Sequence, residues 1–315
     1  MADLSTDLAG AVLPNPLMTA SGCAANGREL HRFLDVAGLG AFVTKSVMRG
    51  PRSGRGTPRM AETPSGMLNS IGLQGPGIDA FVEDDLPWLA SVGARALVSI
   101  AGSDAEEFAE VARRLRDSEA FSAVVGVEVN ISCPNVANRG LVFACQPDSS
   151  AAVLTLVREQ LPGVPLFAKL SPDVTDLVLI AEACLAAGAD GLTMVNTLLG
   201  MAIDLDRMRP HLGGVTGGLS GPAIRPVAVR AIWQVHGAML TGRLRPAPII
   251  GVGGVHSGRD ALELVAAGAS AVQVGTATFH DPTSPARVLR ELETLLDERG
   301  LDLAGAVGLA HERTA

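Results

Sequence analysis

The chain has 315 residues, 47% of them hydrophobic and 18% charged, with a net charge of −8. So much apolar side chain supports a large core, and the length suits an α/β barrel with insertions. The acidic balance argues against nucleic acid as the main partner but leaves room for a small anion in a local basic pocket. The opening stretch MADLSTDLAG has neither the basic nor the apolar region of a secretory signal. No uninterrupted apolar run approaches the ~20 residues of a membrane span. Cys23, Cys133, Cys145 and Cys184 form no C-x-x-C pair and no zinc spacing with histidine. A cytoplasmic, metal-free protein is expected.

In chain order, Leu8–Leu13 reads as a short strand-like lead and Leu17–Gly22 as a strand ending in small polar residues. Gly27–Ala37 is a helix candidate. A strand over Ala41–Val47 carries Lys45 and Ser46 at its end. A long Gly/Pro/Arg/Ser-rich loop then runs from about Met48 to Gly77, too long for a plain connector. Ile78–Val92 reads as a helix and Ala96–Gly102 as a strand. Asp104 caps a helix over Ala105–Arg116, with Glu107 completing an acidic capping box. Strands over Gly126–Ser132, Pro165–Ser171, Gly191–Thr197, Pro248–Gly254 and Ala271–Ala277 alternate with helices. Those helices are predicted over Ser149–Gln160, Thr175–Ala187, Ala223–His236, Ser257–Ala267 and Pro285–Arg299. A second Gly-rich loop precedes Ala223, and a weak helix covers Asp302–Ala310.

Eight apolar strands, each followed by a helix, predict a parallel sheet closed into a (β/α)8 barrel, a TIM barrel, with a short N-terminal strand extension. No break in composition divides residues 1–315, so one domain is expected. In such a barrel the site lies at the C-terminal strand ends. Here those ends carry Ser21-Gly22, Lys45-Ser46, Asn130 to Asn135, Lys169, Asn196-Thr197, Gly253-Gly254 and Gly275-Thr276. A lysine within an apolar strand is costly unless paired with an anion. The glycines that end the last two strands let backbone N–H groups approach a phosphate. Cys133, between asparagines at a strand end, is either a reactive thiol or a small buried hydrophobe. The Met67–Gly77 segment is the remaining candidate wall, and the nearby Glu62, Arg52, Arg55 and Arg59 read as surface charges. A P-loop and a Rossmann fingerprint are both absent.

The segments NPLMTASG, TPRMAETPSGMLNSIGLQGPG, VEVNISCPN, KLSPDVTD, GADGLTMVNTLLG, GGLSGPAI, IIGVGGV and GASAVQVGTA resemble the class 1 dihydroorotate dehydrogenases over nearly the whole chain. The catalytic subunit of the B-type branch is the best match. The resemblance implies an FMN-bearing barrel that oxidises dihydroorotate to orotate in pyrimidine synthesis. It implies that Cys133 removes the C5 proton. Lys45, Asn69, Asn130, Asn135, Asn196 and Thr197 would hold the substrate, with the backbone of Ser70, Ile71, Gly72 and Leu73 beside them. Lys169 would face the flavin. Ser21, Lys45, Ser46, Ser99, Asn130, Val195, Gly221, Gly253, Gly254, Gly275 and Thr276 would hold FMN. It implies a homodimer at the core of a heterotetramer, whose second subunit carries FAD and a [2Fe–2S] cluster and reduces NAD+.

Two positions depart from the pattern. Ser99 stands where B-type sequences usually have Asn, and Ala144-Cys145 replaces a glycine-containing turn in the loop after Cys133. The insertion at Thr241–Pro246 falls on the barrel's stable face. Two rivals stay open: a dihydropyrimidine (dihydrouracil-type) dehydrogenase, in which Pro-His follows the cysteine, and a flavin-free phosphate-binding isomerase or aldolase with Lys169 as a Schiff-base lysine.

Overall fold

A computed structural model describes residues 1–132 and 146–312. Eight parallel strands form one sheet: Leu17–Thr19, Phe42–Val43, Ala96–Ile100, Val124–Val129, Leu166–Leu170, Gly191–Met194, Ile249–Val252 and Ala271–Val274. The first pairs with the eighth, and pairing then runs back in order to the second. A parallel bridge from Met18 to Ala41 joins the first strand to the second and closes the ring. This is the predicted (β/α)8 barrel.

Each strand ends one to four residues before the sequence predicts. The predicted tails Ala20–Gly22, Thr44–Val47, Asn130–Ser132 and Val195–Thr197 leave the ladder. Their backbones keep scattered bonds to neighbouring strands, as Val47 N to Ser99 O and Asn130 N to Ile100 O, while their polar side chains bond one another across the barrel mouth. The register alternates apolar side chains inward and outward. Met18, Val43, Leu97, Phe167, Ile250 and Ala271 form a small inner cluster, separate from the larger core between sheet and helices. Phe167 fills the lower barrel because two glycines make room for its ring: its register partner Gly191 in the sixth strand and Gly126 in the fourth. A Cβ on Gly191 would lie 2.6 Å from Phe167 Cε1, and one on Gly126 would lie 3.4 Å from Cε2.

The strand-like lead is a hairpin, Thr6–Leu8 against Ala11–Leu13. Ala9 and Gly10 both take positive φ, 58° and 93°, the backbone of a tight two-residue turn. The hairpin places Leu8 and Leu13 against the inner cluster, so it plugs the N-terminal end of the barrel.

The main departure concerns the two Gly-rich loops. The first folds back as Met60–Thr63 and Gly66–Asn69, the second as Leu198–Gly200 and Gly217–Ser220. Together they make one four-stranded antiparallel sheet, with Asn69 opposite Gly218 and Leu68 opposite Leu219. Arg55 and Arg59, expected on the surface, are half-buried staples of this region. Arg55 Nη1 donates to Ser70 Oγ and to Gly214 O, while Arg59 Nε donates to Arg55 O.

The helices follow the prediction with local changes. Asp104 caps Ala105–Arg116 by accepting from Glu107 N at 2.8 Å, but Glu107 reaches back to Ser103 N rather than to the cap residue. Gly27–Ala37 is only a four-residue helix, Arg28–His31, followed by a 3-10 turn at Val36–Gly38 that Asp35 caps. The predicted Ile78–Val92 helix contains a π-turn at Phe81–Asp85. It comes just before Pro87, whose ring cannot fit an unbroken ladder. The helix predicted over Ala223–His236 runs longer than expected, over Arg225–Leu240, and the C-terminal segment is two short helices, Leu303–Ala306 and Leu309–Glu312. Among the described residues no helix is long and apolar enough to cross a membrane.

Candidate active site

A cavity of about 980 Å³ opens at the C-terminal end of the barrel strands. Most of the predicted site residues converge on it. Ser21, Lys45, Ser46, Asn69, Ile71, Gly72, Leu73, Asn130, Lys169, Val195, Asn196, Thr197, Gly221, Gly253, Gly254, Gly275 and Thr276 all line it. Ser70 is buried in the wall behind, bonded to Arg55. Ser99 is fully buried behind Ser46. Cys133, Asn135 and the Ala144-Cys145 departure lie outside the described residues.

One wall is a continuous hydrogen-bonded chain. The hydroxyls of Ser21, Ser46 and Ser99 form a triangle, with Ser46 Oγ 2.9 Å from Ser99 Oγ and 3.1 Å from Ser21 Oγ. Asn130 Nδ2 donates to Ser46 Oγ at 3.0 Å, and Asn130 Oδ1 accepts from Ser132 Oγ and from Asn196 Nδ2. Asn196 Nδ2 also donates to Ser132 Oγ at 2.7 Å, while its Oδ1 accepts from Thr197 N. These bonds fix which way each amide faces. The opposite wall is the four-stranded sheet, where Asn69 Nδ2 donates to Gly218 O at 3.2 Å.

The far end is built from backbone. Gly253 and Gly254 take φ of 140° and 74°, a turn open to glycine alone. A Cβ on Gly253 would lie 2.7 Å from Ala228 Cβ, and one on Gly254 would lie 2.7 Å from Arg225 Cβ. Gly221 and Thr276 stand beside this turn, and Thr276 Oγ1 donates to Ser220 Oγ at 2.8 Å. Bare N–H groups from successive strand ends suit a phosphate.

Lys169 is buried in the floor and bonded to Glu128, which is 0% exposed, at 3.1 Å. Gln273 Nε2 donates to the other Glu128 oxygen at 2.9 Å. Glu128, two residues before Asn130 and so on the same strand face, is not among the predicted site residues. A signal was available: Lys45 and Lys169 are the only lysines in the chain, against 23 arginines. Cys23, on the cavity wall, also went unassigned. Burial pushes its thiol up to about 11, with Lys169 and then Lys45 acting in the opposite direction.

The site's dimensions and donors can be tested against FMN. The cavity is at the upper end of the usual ligand-site range of ~300–1,000 Å³, room for a cofactor and a small second ligand. The glycine turn suits the phosphate, the serine triangle and amides suit a heteroaromatic edge, and the Lys169 cation suits a ring that gains negative charge. The residues fit the group. Among the described residues no cluster of three or more His, Cys, Asp or Glu could hold a metal ion.

A (β/α)8 barrel with a polar cavity at its strand ends, a glycine phosphate turn and a buried lysine in the floor defines an enzyme of the barrel class. The family profile of dihydroorotate dehydrogenase matches residues 3–296. The chain is 49% identical over 311 residues to a Geobacter sp. (strain M21) protein described as dihydroorotate dehydrogenase B (NAD(+)), catalytic subunit, covering 98% of this chain and 99% of that one. It is 50% identical to the protein of that description from Citrifermentans bemidjiense, with the same coverage. The corresponding Desulforudis audaxviator protein is 49% identical over 305 residues, 96% of either chain. The chain belongs to the dihydroorotate dehydrogenase family.

Proposed function

We propose that this chain is the FMN-bearing catalytic subunit of a B-type dihydroorotate dehydrogenase, oxidising (S)-dihydroorotate to orotate in pyrimidine synthesis. The observation that carries this reading is the meeting of Lys45, Asn69, Asn130 and Asn196 over Lys169 in one cavity. A carboxylated ring needs a cation for its carboxylate and groups that both donate and accept along its edge. Lys45 and the three asparagines supply these.

In this reading the asparagines, with Asn135 and Thr197, orient the ring, and the Ser70–Leu73 backbone closes one side. Cys133 takes the proton from C5 onto its sulfur. A free thiol titrates near ~8.5, so Cys133 needs a polar or cationic neighbourhood to act near neutral pH. FMN, when bound, supplies the two-electron acceptor for the hydrogen at C6. Gly221, Gly253, Gly254, Gly275 and Thr276 would hold its phosphate, and Ser21, Ser46, Ser99, Asn130 and Val195 its ring. Lys169 would compensate the negative charge that reduction brings.

The reading extends to a cytoplasmic assembly in which a homodimer of one-domain chains binds a second subunit with FAD and [2Fe–2S], passing electrons to NAD+. The relatives' description as a catalytic subunit of an NAD(+)-linked enzyme supports such a partner. Purified chain that reduces fumarate at a physiological rate without any partner would count against it.

The test is anaerobic bleaching of the bound flavin. Dihydroorotate should bleach it rapidly, dihydrouracil should not, and Cys133→Ala should abolish the effect. Bleaching by dihydrouracil alone would assign the chain to dihydropyrimidine oxidation. A colourless protein that takes up no FMN would overturn the reading.

A further inference from the structure

The barrel interior is apolar around Phe167 and polar in the layer above, where Glu128, Lys169, Thr193 and Gln273 are all buried. Glu128 anchors this layer. One of its oxygens accepts from Lys169 Nζ at 3.1 Å and the other from Gln273 Nε2 at 2.9 Å. Lys169 lines the cavity; Glu128 and Gln273 do not. The carboxylate therefore acts on the cavity only through the lysine.

The pairing has a structural cost. Gln273 Oε1 is buried without a partner, because the amide presents its donor end to Glu128. Leaving such an acceptor unpaired is unfavourable. An ionised carboxylate can only accept, so an amide that turns its donor end to Glu128 suits the anion. A buried ion pair is also a weak source of stability, since packed apolar residues would serve as well. The arrangement therefore calls for a role beyond stability.

We infer that Glu128 is a positioning residue for the flavin chemistry: it keeps Lys169 charged and fixed beneath the cavity before any ligand arrives. Without the carboxylate, the ammonium sits in a low-dielectric floor with Lys45 as a second positive charge nearby and Cys23 as the adjacent thiol. Burial then favours the neutral amine. The purpose of the device rests on the flavin reading above, but its test does not.

The chain has two lysines, so protein labelled with 13Cε,15Nζ-lysine gives two side-chain signals, assigned with Lys45→Arg. In the native apoprotein the Lys169 signal should remain that of a hydrogen-bonded ammonium from pH 6 to 9, with slowly exchanging protons. In Glu128→Gln it should convert to the neutral amine within that range, and Glu128→Asp should restore most of the native behaviour. A native Lys169 whose protons exchange as fast as those of Lys45, or a Gln variant that titrates like the native chain, would overturn the inference. If the Gln variant does not fold, the native measurement alone decides. In FMN-loaded protein, the flavin midpoint potential of Glu128→Gln should gain one further proton per two electrons. That is a tenfold change per pH unit, about 30 mV. Failure of dihydroorotate to bleach the flavin would refute the substrate while leaving the lysine titration intact.

Discussion

Asn130 Nδ2 donates to Ser46 Oγ at 3.0 Å, tying the end of the fourth barrel strand to the end of the second. The same side chain accepts from Ser132 and Asn196. Asn130→Ala would leave both of these donors short of an acceptor, at a cost of about 1–3 kcal/mol. If the misaligned groups act in the rate-limiting state, flavin reduction by dihydroorotate slows roughly 5- to 150-fold. Stopped-flow bleaching measures this directly, and an unchanged rate would refute the role.

Ser99 stands where the B-type resemblance leads one to expect asparagine. It is packed against Ser46 and Ser21, and its backbone N–H donates to Thr44 Oγ1. Ser99→Asn should therefore overfill this pocket rather than improve it, raising the FMN dissociation constant about tenfold through roughly 1–3 kcal/mol of strain. Fluorescence of released FMN reports it. Tighter binding in the variant would show that the pocket adapts.

Phe167 and Gly191 make a second packing prediction. Gly191→Ala places a methyl 2.6 Å from the Phe167 ring and 2.7 Å from Pro248 O. Overpacking of this kind costs about 1–3 kcal/mol. Calorimetry should show a melting temperature lower by several degrees, with secondary structure unchanged.

His236 gives a pH dependence of stability. It is half-buried beside Gly268 and Gly308 and lies 5.0 Å from the His311 ring, which stacks on Trp233. Burial, and then the His311 charge, lower its titration point below the ordinary value. A histidine lowered on folding binds protons more readily when unfolded. Its contribution is thus present above about pH 6.5 and lost as pH falls through the folded value. Urea midpoints should fall as pH drops below about 6.5, and His236→Gln should flatten that fall.

Cys23 should be chemically quiet. With its thiol pushed up to about 11, only about one part in a thousand is thiolate at pH 8. Peptide mapping after iodoacetamide treatment should find it largely unmodified at pH 8 and increasingly modified as pH rises.

The barrel was legible because each buried strand is a short apolar run leading into polar or small residues, as Val124–Val129 leads into Asn130. The lateral sheet was not. Its strands Gly66–Asn69 and Gly217–Ser220 are rich in glycine, which local propensity reads as loop. Their pairing joins residues about 150 positions apart, as Asn69 with Gly218. Alternation puts Glu128 on the same strand face as Asn130, but only the fold brings it to Lys169, 41 residues on. Arg55 and Arg59 were misread for the same reason, since their partners come from loops that approach only in the folded chain.

The placement of both lysines in the cavity, with arginine everywhere else, has a practical consequence. Activated esters and aldehydes attach to primary amines and ignore guanidinium groups. On this protein the side chains that offer such an amine are the half-buried Lys45 and the buried Lys169, both lining the cavity. An amine-coupled support or dye that takes a side chain would therefore attach inside the binding cavity. Coupling with the cavity filled should leave both lysines unmodified.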